Sequence, residues 1–368
     1  HDLAAKVVTV IQQATADKAD ERFTDVLAMA SVLHRAVAQG STKVKAVGRG
    51  QLRRHGAQLP LDETPFIGRM QELLMLNKLL GDPGMRLINI SGPGGIGKTR
   101  LALAAARQQF GHFQHGVFFV PLLSVERSDQ IAAAIATALE LPIKDEESIQ
   151  RQLMDYLQDK HLLLILDNFE HLIAGKGLLT QMVSQAPRLS ILVTSREALH
   201  LHEEQLFPLA GLLLPDSEVA EDAFAADAPQ LFLSSARRMQ PDFSLYESDL
   251  DALNAICHLV EGMPLAIELA AGWANTIGLP QIAAELRRSL DFLQDRNGGM
   301  PDRHASIQAV FATSWQQLGK RDQRLFKKLS VFRGGFSLEA ARQISSVSFR
   351  ALSRLVSKSL LQFDRGSD

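Results

Sequence analysis

The sequence predicts an α/β fold, a parallel sheet covered by helices on both faces, followed by a helical remainder. Three observations carry this. From Met85 onward, short wholly apolar runs alternate with helical stretches. A glycine-rich loop, "ISGPGGIGKTR", joins the first of those runs to an alanine-rich helix. After about residue 212, helical patterns recur without strands. Strands apolar on both faces belong to parallel sheets buried from both sides, and strand–helix alternation is the sequence mark of such sheets.

The elements follow in order. Residues 1–40 read as helical: Val7, Val8, Val10 and Ile11, then Phe23, Val26, Leu27, Met29 and Leu33, recur at helical spacing. Residues 41–64, rich in glycine, lysine and arginine, read as a linker or an exposed basic arm. The strands are "RLINIS", "GVFFVPL", "HLLLILD", "LSILVTS" and "EQLFPL". Helices near 99–110, 128–139, 147–158 and 173–186 separate most of them. "GLLLPDSEVAEDAFAADAP" breaks the alternation with prolines and acids. Helices are then expected near 229–240, 247–261, 264–277 and 280–290. After a second break at "DRNGGMPDR" they are expected near 304–318, 321–329, 337–343 and 349–358. "SLLQFDRGSD" reads as a strand followed by a turn. The domains implied are 1–40, a 41–64 linker, 65–212, 213–298 and 299–368.

Of 368 residues, 46% are hydrophobic and 22% charged, ample for buried cores, and the formal net charge is −2. That balance gives no electrostatic case for nucleic acid as the main partner. Cys257 is the single cysteine, so an intrachain disulfide is impossible, which fits a reducing cytoplasm. No apolar run reaches the roughly 18 residues of a membrane span. The chain begins at His1 without a signal-peptide pattern, as expected of a piece of something longer.

The chemistry concentrates in Gly92-Pro93-Gly94-Gly95-Ile96-Gly97-Lys98-Thr99, an ungapped match to G-x-x-x-x-G-K-[ST]. Gly92, Gly94, Gly95 and Gly97 let the backbone curl around an oxyanion with its N–H groups pointing inward. Lys98 can then reach the β- and γ-phosphates, and the Thr99 hydroxyl can ligate Mg²⁺. The following helix, with Arg100 beside Thr99, adds the positive end of its dipole. The second half of such a site is an acid ending another buried strand. Asp167, after Leu162–Leu166, fills that place and can hold Mg²⁺ through water.

Many nucleotide-hydrolysing relatives of this motif put a second carboxylate next, to polarise water; here that position is Asn168. Glu170 is the nearest other acid, and it reads equally as a catalytic base or as a surface helix-start residue favoured by the dipole. Arg196 ends "LSILVTSR". If that strand neighbours the glycine-loop strand, its guanidinium emerges at the ligand edge and can sense a γ-phosphate; otherwise it pairs with a neighbour such as Glu197.

Together these segments resemble the STAND class of signal-transduction ATPases, the NB-ARC/AP-ATPase group, and most closely its bacterial transcription-regulator branch. "TPFIGRMQEL" is similar to the family's adenine-side motif, with Ile67 and Arg69 lining the base and Met70 where the family has Glu. "LLLILDNFEHL" and "ILVTSREAL" resemble its Walker B and sensor-arginine segments. "GMPLAIELAA" resembles its Gly-x-Pro motif, in which Pro264 packs on the adenine. "RHASIQAVFATSWQQL" and "LFKKLSVFRGGFSLEAA" resemble the start of its winged-helix domain.

The resemblance implies an ASCE-type sheet of order 5-1-4-3-2, a helical domain and a winged helix that ends within its wing. It also implies a switch, in which ADP holds the domains closed while ATP exchange permits opening and self-association. Sensor and effector domains would lie outside this chain. A family histidine just past the wing, which touches the ADP phosphates, falls beyond Asp368. An ordinary P-loop ATPase or kinase with continuous turnover is the alternative, disfavoured by Asn168 and by the helical tail.

Weaker signals remain. Arg350, Arg354 and Lys358 form a stripe that could meet DNA phosphates or simply face solvent, and DNA contact by this chain is not expected. His112 with His115, and His200 with His202, lack completing ligands for a metal. Trp273 and Trp315 read as helix-packing residues.

Overall fold

The computed structural model describes residues 59–60, 64–143, 149–215, 226–294, 306–316, 318–332, 335–345 and 347–361, all within one unit spanning 56–368. The helices expected over 1–40, most of the 41–64 linker, the break at "DRNGGMPDR" beyond Gln294 and the end of the expected closing strand lie outside the described residues.

The chain first forms α1 (Met70–Leu80), then β1 (Leu87–Ser91) and α2 (Lys98–Gln108). β2 (Val117–Pro121), α3 (Ile131–Ala138), α4 (Ile149–Leu157), β3 (Leu163–Asp167), α5 (Gly177–Gln185), β4 (Ser190–Ser195) and β5 (Glu204–Pro208) complete the α/β part. All strand pairs are parallel, in the order β2-β3-β4-β1-β5. Read from the other edge this is 5-1-4-3-2, as the resemblance implied.

Alternate residues of each strand serve opposite faces. Phe118, Val120, Leu164, Leu166, Ile191 and Val193 pack with apolar residues of α3, α4 and α5. Ile88, Ile90, Leu163, Ile165 and Leu192 pack with those of α1 and α2. Burial on both sides explains why these strands are continuous apolar runs. Register brings Ser91 opposite both Ser195 and Pro208, and Pro121 opposite Asp167. The carboxyl ends of β1, β3 and β4 therefore share one edge, where ligands bind in open α/β sheets.

Helices follow: α6 (Asp227–Met239), α7 (Leu250–Leu259), α8 (Pro264–Ala271) and α9 (Leu279–Arg288). They share a core containing Phe232, Ile256, Ile267 and Ile282. Cys257 is buried in it, and burial pushes its thiol up to about 12, so it is inert at neutral pH. Trp273 stacks on Phe292 with ring centroids 4.2 Å apart. The last four helices are α10 (Ile307–Gln316), α11 (Lys320–Leu329), α12 (Leu338–Ser345) and α13 (Phe349–Ser357). They enclose a small core of Leu318, Leu329, Ala341, Val347 and Leu355, with Trp315 and Phe326 against it. Among the described residues no strand follows β5, apart from an isolated bridge between Gln294 and Ser306.

Several local expectations are corrected. α1 carries no clear sequence signal, because Met70, Leu74 and Met75 are exposed and blur the buried stripe of Leu73, Leu76 and Leu80. The stretch expected as one helix over 173–186 splits into a 3₁₀ segment, Phe169–Gly175, and α5. α8 stops at Ala271, short of residue 277. Residues 359–361, expected to begin a strand, form a turn, with Ser359 left-handed at φ 55°.

Candidate functional site

The cradle is the loop between β1 and α2. Gly95 and Gly97 take φ of 78° and 93°, a region open to glycine at no steric cost. Lys98 is the first residue of α2, and its Nζ donates to Gly92 O at 2.8 Å and Pro93 O at 3.0 Å. Burial lowers its pKa to about 8; Glu170 and Asp167 offset part of this, while Arg196 adds to it. A buried cation that is short of counter-charge, over a glycine loop at a helix N-terminus, fits a phosphate.

Asp167 ends β3 and is buried. Its Oδ1 accepts from Thr99 Oγ1 at 2.7 Å and from Thr194 Oγ1 at 2.6 Å. Burial raises its pKa, and those two hydrogen bonds, from Thr194 and Thr99, pull it back. A hydroxyl and a carboxylate held together beside the cradle form a donor set suited to Mg²⁺.

Asn168 is left-handed (φ 64°, ψ 51°), and its N–H donates to Thr194 Oγ1 at 3.0 Å. The chain turns sharply there and carries Glu170 inward, so the solvent-facing alternative for this acid is not what the fold adopts. The Glu170 side chain is 5% exposed. Its Oε1 accepts from Arg196 Nε at 3.0 Å, and its Oε2 has no partner among the described residues. An unpaired buried carboxylate oxygen costs on the order of 1–3 kcal/mol, which a bound water or ligand would recover.

β4 does neighbour β1, so Arg196 emerges at the ligand edge. Its Nη1 donates to Ser314 Oγ at 2.5 Å and to Val310 O at 3.4 Å, both in α10. A Cβ placed on Gly94 would lie 2.7 Å from Val310 Cγ1 and 3.3 Å from Arg196 Cζ, so α10 and the arginine both abut the loop. Glu197, the partner considered from sequence, instead pairs with Lys358 at 3.1 Å, and Ser359 Oγ donates to Arg196 O at 2.6 Å. The basic stripe along α13 and its C-cap is thereby largely committed: the cap residue Lys358 to Glu197, and Arg354 to Asp322 at 2.8 Å.

The Gly-x-Pro segment reaches the cradle too. Leu265 N–H donates to Gly95 O at 3.2 Å, and Pro264 Cγ is 4.0 Å from where a Gly97 Cβ would stand. Ile67 packs against the helical core. Arg69, expected at the base, has its guanidinium committed to Glu72 (2.6 Å), Ala210 O (2.5 Å), Gly211 O (3.2 Å) and Ile96 O (3.3 Å). Arg100 binds Thr64 O at 3.1 Å and Pro65 O at 2.5 Å, and lies 3.5 Å from Glu268. Both arginines tie segments together rather than stand free.

Of the histidine pairs, His115 Nδ1 accepts the His161 N–H at 2.9 Å, and the His112 ring packs edge-on to Phe113 and His161. Thr194, Ser314 and Asp227 were not singled out in the sequence. Thr194 had a faint signal, a polar residue near the end of an apolar strand, two positions before Arg196.

The NB-ARC domain family matches residues 69–201. An uncharacterized protein of Mycobacterium tuberculosis is 32% identical over 284 residues, covering 77% of this chain and 69% of the relative. A putative HTH-type transcriptional regulator of the same organism is 32% identical over 287 residues, 76% of this chain but only 31% of the regulator. Among solved structures, a Walker-type ATPase of Pyrococcus abyssi aligns with a TM-score of 0.50 at 12% identity, over 82% of this chain and 91% of that one, a likeness of fold alone. None of the described helices is long and apolar enough to cross a membrane.

Proposed function

The chain belongs to the NB-ARC family, as a STAND-class protein of the bacterial regulator branch, and from that premise we propose that its cradle is an adenine-nucleotide switch. ADP holds the sheet, the helical segment and the C-terminal helices closed. Exchange for ATP permits opening and self-association, and slow hydrolysis resets the molecule. The C-terminal helices α10–α13 act as a winged-helix lever. Sensor and effector parts belong to segments outside this chain, which spans less than a third of the HTH-type regulator it resembles.

One observation carries this reading: Arg196 is held simultaneously by Glu170 beside the cradle and by Ser314 and Val310 of α10. A guanidinium drawn to a γ-phosphate gives up at least part of that set. The nucleotide's third phosphate thus competes with α10 for the same cation.

Lys98 and the loop N–H groups bind the phosphates, and Ile67 and Pro264 flank the base. Thr99 and Asp167 would hold Mg²⁺, which would supply positive charge to the phosphates when bound. In this reading Glu170 accepts a proton from the attacking water. Its pairing with Arg196 ties up one of its two oxygens in the closed form, which favours slow turnover.

The test is the nucleotide carried by the purified chain. Stoichiometric ADP surviving gel filtration supports a switch. A chain that emerges empty and turns over ATP continuously supports an ordinary P-loop enzyme instead.

A further inference from the structure

Gly68 and Arg69 sit between Ile67 and α1, and both are left-handed, with φ of 70° and 62°. Backbone N–H groups in such a turn converge on a concavity that accepts an anion. Here the anion is supplied from within the chain. Arg69 N–H donates to Asp227 Oδ2 at 2.9 Å, and a Cβ on Gly68 would lie 2.3 Å from Asp227 Cγ. Asp227 is the first residue of α6, the helix that opens the helical segment.

The same dipeptide reaches two more places through the Arg69 guanidinium. It donates to Ile96 O inside the cradle, and to Ala210 O and Gly211 O in the chain leaving β5. That chain is pinned from its other side as well. Leu212 N–H donates to Gly262 O at 2.8 Å, and a Cβ on Gly211 would lie 2.0 Å from Glu261 O. A left-handed arginine is a strained conformation that persists only where its surroundings over-determine it. Of the contacts that do so, Asp227 is the one that belongs to α6.

We propose that Asp227 is a positioning residue that couples the placement of α6 to the grip on the base side of the nucleotide; this rests on the nucleotide-binding reading of the cradle. When α6 moves, its carboxylate leaves the turn, Gly68 and Arg69 relax, and the adjoining Ile67 shifts. The turn touches the phosphate-binding loop only through the long Arg69–Ile96 O bond of 3.3 Å, while Lys98 is anchored on Gly92 O and Pro93 O without it. Loss of Asp227 therefore weakens the hold on the nucleoside and leaves the hold on phosphates unchanged.

The experiment uses the full chain and two probes, a fluorescent ADP analogue for release rate and inorganic pyrophosphate for calorimetry. Asp227→Ala should speed ADP release tenfold or more, with pyrophosphate affinity within twofold of wild type. Asp227→Asn, which keeps an acceptor oxygen for Arg69 N–H, should recover most of the effect. Gly68→Ala, which drives a methyl into the carboxylate, should act like Asp227→Ala and serves as the test should Asp227→Ala not fold. ADP release within twofold of wild type in either disruptive variant overturns the proposal. So does a parallel loss of pyrophosphate binding, or an Asn variant no better than Ala. A wild-type chain that binds neither probe would instead defeat the nucleotide reading itself.

Discussion

Arg196 Nε and Glu170 Oε1 form a 3.0 Å ion pair whose side chains are 15% and 5% exposed. Breaking a buried pair from one side leaves the other charge uncompensated, so the pair resists opening unless a new anion meets the arginine. In the proposed mechanism, Glu170 and the amide at position 168 are the two places where the rate of hydrolysis is set.

Glu170→Gln should slow single-turnover ATP hydrolysis by about 10²–10⁴-fold, the usual worth of a general base. Asn168→Asp should raise it. Aspartate, like asparagine, tolerates the left-handed backbone that position 168 adopts, so the added carboxylate does not disturb the turn. Fast hydrolysis that survives Glu170→Gln would show that another group activates the water.

Lys98→Ala should abolish tight nucleotide binding while leaving the fold intact. The lysine is buried with its charge only partly compensated, and burial holds its pKa near 8. Removing it takes away an unfavourable desolvation, so the Tm of the nucleotide-free protein should hold or rise. Calorimetric ATP binding by the variant in the nanomolar to low-micromolar range would contradict the assignment.

The same lysine sets a pH dependence. In the nucleotide-free fold it is half-deprotonated near pH 8, whereas in the unfolded chain that point lies near 10.5. Between those values the unfolded state binds more protons, so stability of the empty protein contributed by this group rises with pH across that window. A phosphate beside Lys98 restores the proton. Nucleotide binding should therefore take up protons increasingly from pH 7 to 9, and weaken as pH rises. Calorimetry at pH 8.5 in buffers of different ionisation enthalpy measures this uptake, and identical heats would refute it.

Adenine should be preferred over guanine. Ile67 and Pro264 offer apolar surface for a base, and the sequence contains no Asn-Lys-x-Asp segment to read guanine. Displacement of bound ADP by GDP at equal concentration would count against this.

Much of the architecture was legible because its physics is local. Buried parallel strands must be apolar on both faces, and a glycine loop leading to Lys98 and Thr99 has few other uses. The strand end at Asp167 followed from the same logic, whereas the edge position of Arg196 hung on β4 pairing with β1, which the strand register supplies. What escaped depends on tertiary placement. Helix α1 is obscured by Met70, Leu74 and Met75, large apolar residues left exposed. The inward turn of Glu170 depends on a left-handed Asn168 fastened to Thr194 of another strand. Ser314 lies in the last turn of α10 with nothing in its local sequence to mark it, and it matters only because α10 docks on β4's end. The fates of Arg69 and Arg100 likewise depend on carbonyls from distant segments.

The central claim is that α10 and the third phosphate compete for Arg196. The direct measurement is amide hydrogen exchange of Ile307–Gln316 in the full chain, with ADP and with a non-hydrolysable ATP analogue. The account predicts slow exchange with ADP, faster exchange with the analogue, and loss of that difference in Arg196→Ala. Equal protection of this helix in both nucleotide states of the wild-type chain would contradict it.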